Sequence, residues 1–166
     1  MALACTPSDG TSSARQGAVP SKADSIVLER TICYGTCPAY RISLSDVGEV
    51  RFDSGNPEHG GRRVTDTVAA TTFTALAARA RSIGFFDLPS KIADDSVLCR
   101  NRATDHPTVI VTIGAKGQTK SVEDYHGCFE TVEHEILPPI ARLRLFEIEI
   151  DSALRSSRWV TPANRR

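Results

Sequence analysis

Cys33 and Cys37 stand four positions apart in the stretch TICYGTCPAY, residues 31–40. The spacing is one residue too long for the Cys-x-x-Cys of a thiol–disulfide catalyst. Three chemistries remain open to such a pair: redox exchange, half of a zinc site, or a structural bridge. A redox thiol needs a lowered pKa, from a helix N-terminus or a nearby cation. Arg30 and Arg41 are near in sequence, but Pro38 and strand-like flanks argue against a helix starting there. Zinc would draw on Cys33, Cys37, Cys99, Cys128, His106 and His126, of which only the first two are spaced as a ligand pair. A second group is acid–base in character. Asp124 and His126 lie two apart on a strand and share a face, while Asp105 and His106 sit at the entry to the partner strand. Two acids and two imidazoles at one sheet end are the raw material of proton transfer or of a metal site. The plainer reading has Asp124 bonded to backbone or an arginine and both histidines exposed. No nucleophile or oxyanion device is readable beside them, so no residue is put forward as catalytic.

The elements that must position these residues follow from hydrophobic period. Residues 25–31 read as a strand. Tyr40, Ile42 and Leu44 alternate with Arg41 and Ser43, and a turn at Asp46-Val47-Gly48 leads to a second alternating run, 49–53. A weaker strand covers 63–68. Phe73, Leu76, Ala77, Ala80 and Ile83 recur at helical spacing, with Thr67, Thr71 or Thr72 as the cap and Gly84 as the stop. Residues 91–106 are polar and irregular and hold Cys99. Pro107 to Ile113 is dense in β-branched residues, turns at 114–117, and pairs back through 119–126 before Gly127-Cys128. A last helix begins near Pro138-Pro139, where proline is tolerated. Its apolar stripe is Ile140, Leu143, Phe146, Ile150 and Leu154, with Arg144, Glu147 and Glu149 facing out. The order β-β-β-β-α-β-β-α predicts an α+β fold: an antiparallel sheet of about six strands with two helices packed on one face. Tyr40 belongs to the core, Tyr34 to the surface, and Trp159 closes the core after the last helix.

The chain has 166 residues, one domain's worth. Lysine plus arginine equals aspartate plus glutamate, 20 against 20, so no basic surface recommends nucleic acid as a partner. No run approaches the ~20 apolar residues of a membrane span. Of five cysteines, the first is Cys5 in MALACT, where small residues before a cysteine resemble the lipobox of a bacterial lipoprotein. The pattern is truncated, since a basic and an apolar region are missing and Ala2 stands where leucine is usual. The polar segment TPSDGTSSARQGAVPSKAD then reads as a tether too poor in apolar residues to fold. The expected layout is a lipobox-like start and disordered tether over 1–24, a folded domain over 25–160, and a disordered tail over 161–166. Setting Cys5 aside leaves four cysteines, the even number that two bridges in an oxidising compartment require.

The stretches IVLERTICYGTCPAYRISL, IGFFDL, TDHPTVIVTI and KSVEDYHG, followed by a final helix and Trp159, resemble a bacterial family of envelope proteins, the DUF6438 domain family. The likeness runs from about Ser25 to Trp159 and is most specific at CYGTCPAY, 33–40. It implies a small α+β domain, often behind a signal peptide or lipobox, and implies no particular activity, substrate or cofactor. It also implies that the 33/37 pair is the family mark and the 99/128 pair an addition found in part of it, which fits bridges Cys33–Cys37 and Cys99–Cys128. By sequence alone four cysteines allow three pairings; position favours the same two, because Gly35 permits a tight loop and Cys99 and Cys128 flank the open end of a hairpin. The expectation is a monomeric envelope or periplasmic protein, tethered to the membrane only through lipid on Cys5. Its stapled domain binds an unknown envelope protein or ligand, with Tyr34, Gly35, Thr36, Asp105, His106, Asp124 and His126 as candidate binding residues and no metal or cofactor. The alternative is a thiol–disulfide or metal-dependent enzyme built on Cys33/Cys37 or on the Asp105, His106, Asp124, His126 group.

Overall fold

The computed structural model describes residues 24–55, 60–130 and 135–160. Cys5, the rest of the segment up to residue 23 that is expected to form a tether, and residues 161–166 lie outside them.

Four strands come first, β1 Ser25–Arg30, β2 Tyr40–Ser45, β3 Glu49–Asp53 and β4 Arg63–Thr67, then α1 Thr71–Ser82. After β5 Asn101–Arg102 comes the hairpin of β6 Thr108–Ala115 and β7 Gln118–Tyr125, then β8 Cys128–Phe129 and α2 Pro138–Leu154. The main sheet is antiparallel in the order β4-β3-β2-β1-β6-β7. The predicted α+β architecture of six strands and two helices is what forms.

Period-two alternation decides which face is covered. Ile26 and Leu28, Ile42 and Leu44, Val50 and Phe52, Val109, Val111 and Ile113, and Val122 all point inward and are buried. They form one core with Phe73, Leu76, Ala77 and Ala80 of α1 and Ile140, Leu143, Phe146, Ile150 and Leu154 of α2. Trp159 closes that core, its ring 5.5 Å from Phe52. The opposite face carries Arg41–Glu29, Arg51–Glu49 and Arg63–Asp53 ion pairs. Exposed pairs of this kind contribute little stability, but they keep the uncovered face wet.

Gly48 closes the β2–β3 turn at φ +89°, and a Cβ there would collide with the Val68 carbonyl. The position therefore requires glycine on two counts. Helix α1 departs from expectation at its start: Ala70 precedes it with no side-chain cap. Thr71 and Thr72 already lie inside the helix, and the Thr72 and Phe73 amides donate to the Ala69 and Ala70 carbonyls instead. The 91–106 segment is less irregular than its composition suggests. Short 3-10 turns at Phe85–Asp87 and Ile92–Asp94 precede it and open it. Ser90 and Lys91 run beside Glu123, covering the outer edge of β7. Strand β5 pairs with β8 as a separate two-stranded ribbon. Among the described residues, no helix is long and apolar enough to cross a membrane.

Candidate functional site

Both groups of chemically capable residues lie at the sheet end where β1 leaves and β2 enters. Arg30 and Tyr40 are register partners, so residues 31–39 form a loop between the paired strands. Within it Cys33 and Cys37 are bridged, Cα to Cα 5.6 Å. Backbone bonds moor the loop to the segment before β6: Thr31 N–H donates to Thr108 O at 3.0 Å and Tyr34 N–H to Asp105 O at 3.2 Å. Thr108 N–H returns a bond to Thr31 Oγ1 at 2.9 Å. Beneath the loop, Arg30 Nε donates to Tyr40 Oη at 3.1 Å and to Asp151 Oδ2 at 2.9 Å, and the Tyr40 hydroxyl donates to Asp151 Oδ1 at 2.7 Å. The loop base is thus fastened to α2. Burial, reinforced by Asp151, pushes the Tyr40 phenol up to about 12. The tip stays in solvent: Tyr34 is 90 % exposed and Ile32 76 %.

Cys99 and Cys128 form the second bridge, Cα to Cα 4.9 Å, beside the β5–β8 ribbon. The two bridges occupy all four sulfurs that a cysteine-based zinc site would need. The Cys33–Cys37 pair sits in a loop with no helix starting at it, so it lacks the helix N-terminus that lowers a thiol pKa.

The acid–base group is only partly assembled. Asp105 and His106 are exposed, and the Asp105 carboxylate bonds the neighbouring Thr104 hydroxyl at 3.0 Å. Asp124 and His126 turn the other way, toward α2. Asp124 is fully buried on the inward face that Val122 also occupies. Arg144 Nε donates to its Oδ2 at 2.9 Å, and Arg144 Nη2 donates to the Tyr125 and Cys128 carbonyls at 3.3 and 3.4 Å. His126 Nε2 lies within hydrogen-bond distance of Glu147 Oε2, at 2.9 Å, and 3.6 Å from Asp124 Oδ2.

Arg144 and Glu147 therefore correct the sequence reading, which turned both outward. Glu147 is 1 % exposed. It stands four residues after Leu143 and three before Ile150, squarely on the apolar stripe, and that spacing was the available signal. Arg144, Glu147 and Asp151 fall at i, i+3 and i+7 and line one side of α2 with polar groups directed at the sheet end. Burial pushes the Glu147 carboxyl above its ordinary range, and the Asp124 charge adds to this while His126 and Arg30 pull against it. The carboxyl contains the one buried side-chain nitrogen or oxygen without a hydrogen-bond partner among the described residues, Oε1.

An antiparallel sheet with helices on one face, closed by two disulfides and carrying a buried ionic cluster beside a stapled loop, defines a small disulfide-stabilised α+β domain. The chain belongs to the DUF6438 family, a domain of unknown function whose sequence profile matches residues 24–141. The matched span holds both bridges, Asp124 and His126, and ends before Arg144 and Glu147. No curated protein matches the chain at a significant level.

Proposed function

We propose that this chain is a bacterial cell-envelope protein, held to the membrane by lipid on Cys5, whose monomeric domain binds an envelope partner rather than transforming a substrate. The observation that supports it best is the pairing of all four domain cysteines in two bridges, an arrangement that persists in oxidising compartments and is rare in reducing ones. The contact surface on this reading is the stapled tip Tyr34-Gly35-Thr36. It joins an exposed aromatic ring to a backbone held in shape by the bridge and by its bonds to residues 105 and 108. A rigid aromatic presented this way loses little entropy on binding.

The compartment is tested by alkylating intact bacteria that produce the chain, then measuring the mass of the purified protein. Four domain cysteines that resist alkylation until reductant is added are expected; four alkylated thiols would overturn the proposal. The contact surface is tested with a photo-crosslinking residue at Tyr34 or at Val47, an exposed turn residue at the other end of the sheet. A discrete adduct from position 34 and none from 47 is expected. Identical patterns from the two positions would remove the loop as the contact.

A further inference from the structure

Asp124, His126 and Glu147 present one imidazole nitrogen and two carboxylates whose ligand atoms lie within 4.8 Å of one another. From His126 Nε2 the distances are 2.9 Å to Glu147 Oε2 and 3.6 Å to Asp124 Oδ2. A tetrahedral zinc ion with bonds of about 2.0–2.1 Å holds its donors about 3.3 Å apart, a value the two observed spacings straddle. The two spacings from the imidazole nitrogen therefore match a coordination sphere to within a few tenths of an ångström, and all three donors lie within 4.8 Å of one another.

The charge of the cluster is also incomplete. Arg144 offsets Asp124 through bonds to both carboxylate oxygens, and its Nη2 also reaches two backbone carbonyls. Glu147 has His126 as its hydrogen-bond partner, with Asp124 and Arg30 acting on it by charge, and its Oε1 has no hydrogen-bond partner among the described residues although it is buried. Buried carboxylate oxygens ordinarily have one. Two carboxylates and one guanidinium leave one negative charge to be met by a proton or a cation.

We propose that Asp124, His126 and Glu147 form a three-donor site for a divalent first-row transition ion. Mixed imidazole and carboxylate donors suit zinc and its neighbours better than calcium or magnesium, which prefer all-oxygen shells. Three protein donors leave one position for an outside ligand, as in zinc sites that do chemistry. Arg144 then becomes the partner that orients the Asp124 carboxylate, and the Tyr125 and Cys128 carbonyls orient Arg144. The His126 side chain is 24 % exposed and marks the way in. This site does not depend on the binding role of the 33–37 loop.

The test titrates chelator-treated, folded full-length protein with Co2+, followed by visible d–d absorption, and then displaces it with Zn2+. One equivalent is expected to bind. Glu147→Gln and His126→Asn are each expected to weaken binding by about tenfold or more, while His106→Asn, which alters an exposed imidazole, leaves it unchanged. Circular dichroism checks each variant; should Glu147→Gln fail to fold, His126→Asn carries the test, because that side chain is partly exposed. Absence of binding by the folded parent would overturn the proposal. So would binding that survives both Glu147→Gln and His126→Asn, which marks an adventitious surface ion only.

Discussion

Removing the two bridges one at a time separates a constraint on the whole chain from a constraint on one loop. Replace Cys99 and Cys128 by alanine in one variant, and Cys33 and Cys37 in another. The sequence separations are 29 and 4, so loop-closure entropy in the denatured state predicts losses of about 3.6 and about 2 kcal/mol. Packing widens the gap, because Cys99 and Cys128 are buried in the core while Cys33 and Cys37 are half-buried. The native state near the long bridge has other ties: Ala103 N–H donates to Gly127 O at 2.9 Å and Asn101 Nδ2 to Glu130 O at 2.8 Å. The folded structure should therefore survive, and the effect should come mainly from a freer denatured chain. Urea titration followed by the fluorescence of Trp159, the chain's one tryptophan, measures both quantities. The long-bridge variant should lose stability by the larger amount and show a steeper denaturant slope, since more surface becomes accessible on unfolding. Equal losses from the two variants, or a larger loss from Cys33 and Cys37, would refute the reasoning.

The buried ion pair gives a second prediction. Arg144→Met strands the fully buried Asp124 carboxylate and should cost about 3–5 kcal/mol, much of it recovered when Asp124→Leu is added; urea titration of metal-free protein checks this, and a loss below about 1 kcal/mol counts against it. Tyr40 gives a pH dependence. Its phenol is raised to about 12 from an ordinary ~10, facing Arg30 of β1 and Asp151 of α2, so it stabilises the fold in full below pH ~10 and loses that contribution as pH rises through 12, about 3 kcal/mol in all. Alkaline denaturation of Tyr40→Phe should accordingly be shallower over this window than that of the parent. Gly48→Ala meets both a positive φ and the Val68 carbonyl and should cost about 1–3 kcal/mol, read as a fall in thermal midpoint.

The strands were legible because their alternation is local. Tyr40, Ile42 and Leu44, or Val109, Val111 and Ile113, declare an inward face without reference to anything distant. The β5–β8 ribbon was not, since two residues on each side carry no period and are held by tertiary position and the Cys99–Cys128 bridge. The stapled loop was legible from spacing, Gly35 and Pro38. The ionic cluster was half legible: Asp124 and His126 share a strand face, but that it is the core face depends on Asp124 sharing it with Val122. Glu147 was read outward on residue type, although its spacing put it on the stripe. A charged side chain is seldom buried unless paired, and its partner here lies on another element. Asp105 and His106 were grouped with Asp124 by their place at one end of the sheet. They diverge because residues before β6 moor the 31–39 loop, whereas the end of β7 turns under α2.

Strand β1 lies between β2 and β6. Strands β1 to β4 each pair with their neighbour in sequence and can do so before the second hairpin is synthesised. The other flank of β1 has no local partner: Arg30 waits for Val109 and Ser25 for Gly114. Until the second hairpin arrives, the first meander presents a bare edge bearing Ile26 and Leu28, the kind of edge that recruits other chains. Joining β1 to β6 is a long-range closure and is expected to limit the folding rate. In a nascent chain, the most aggregation-exposed strand is therefore the one that ends up deepest in the finished sheet.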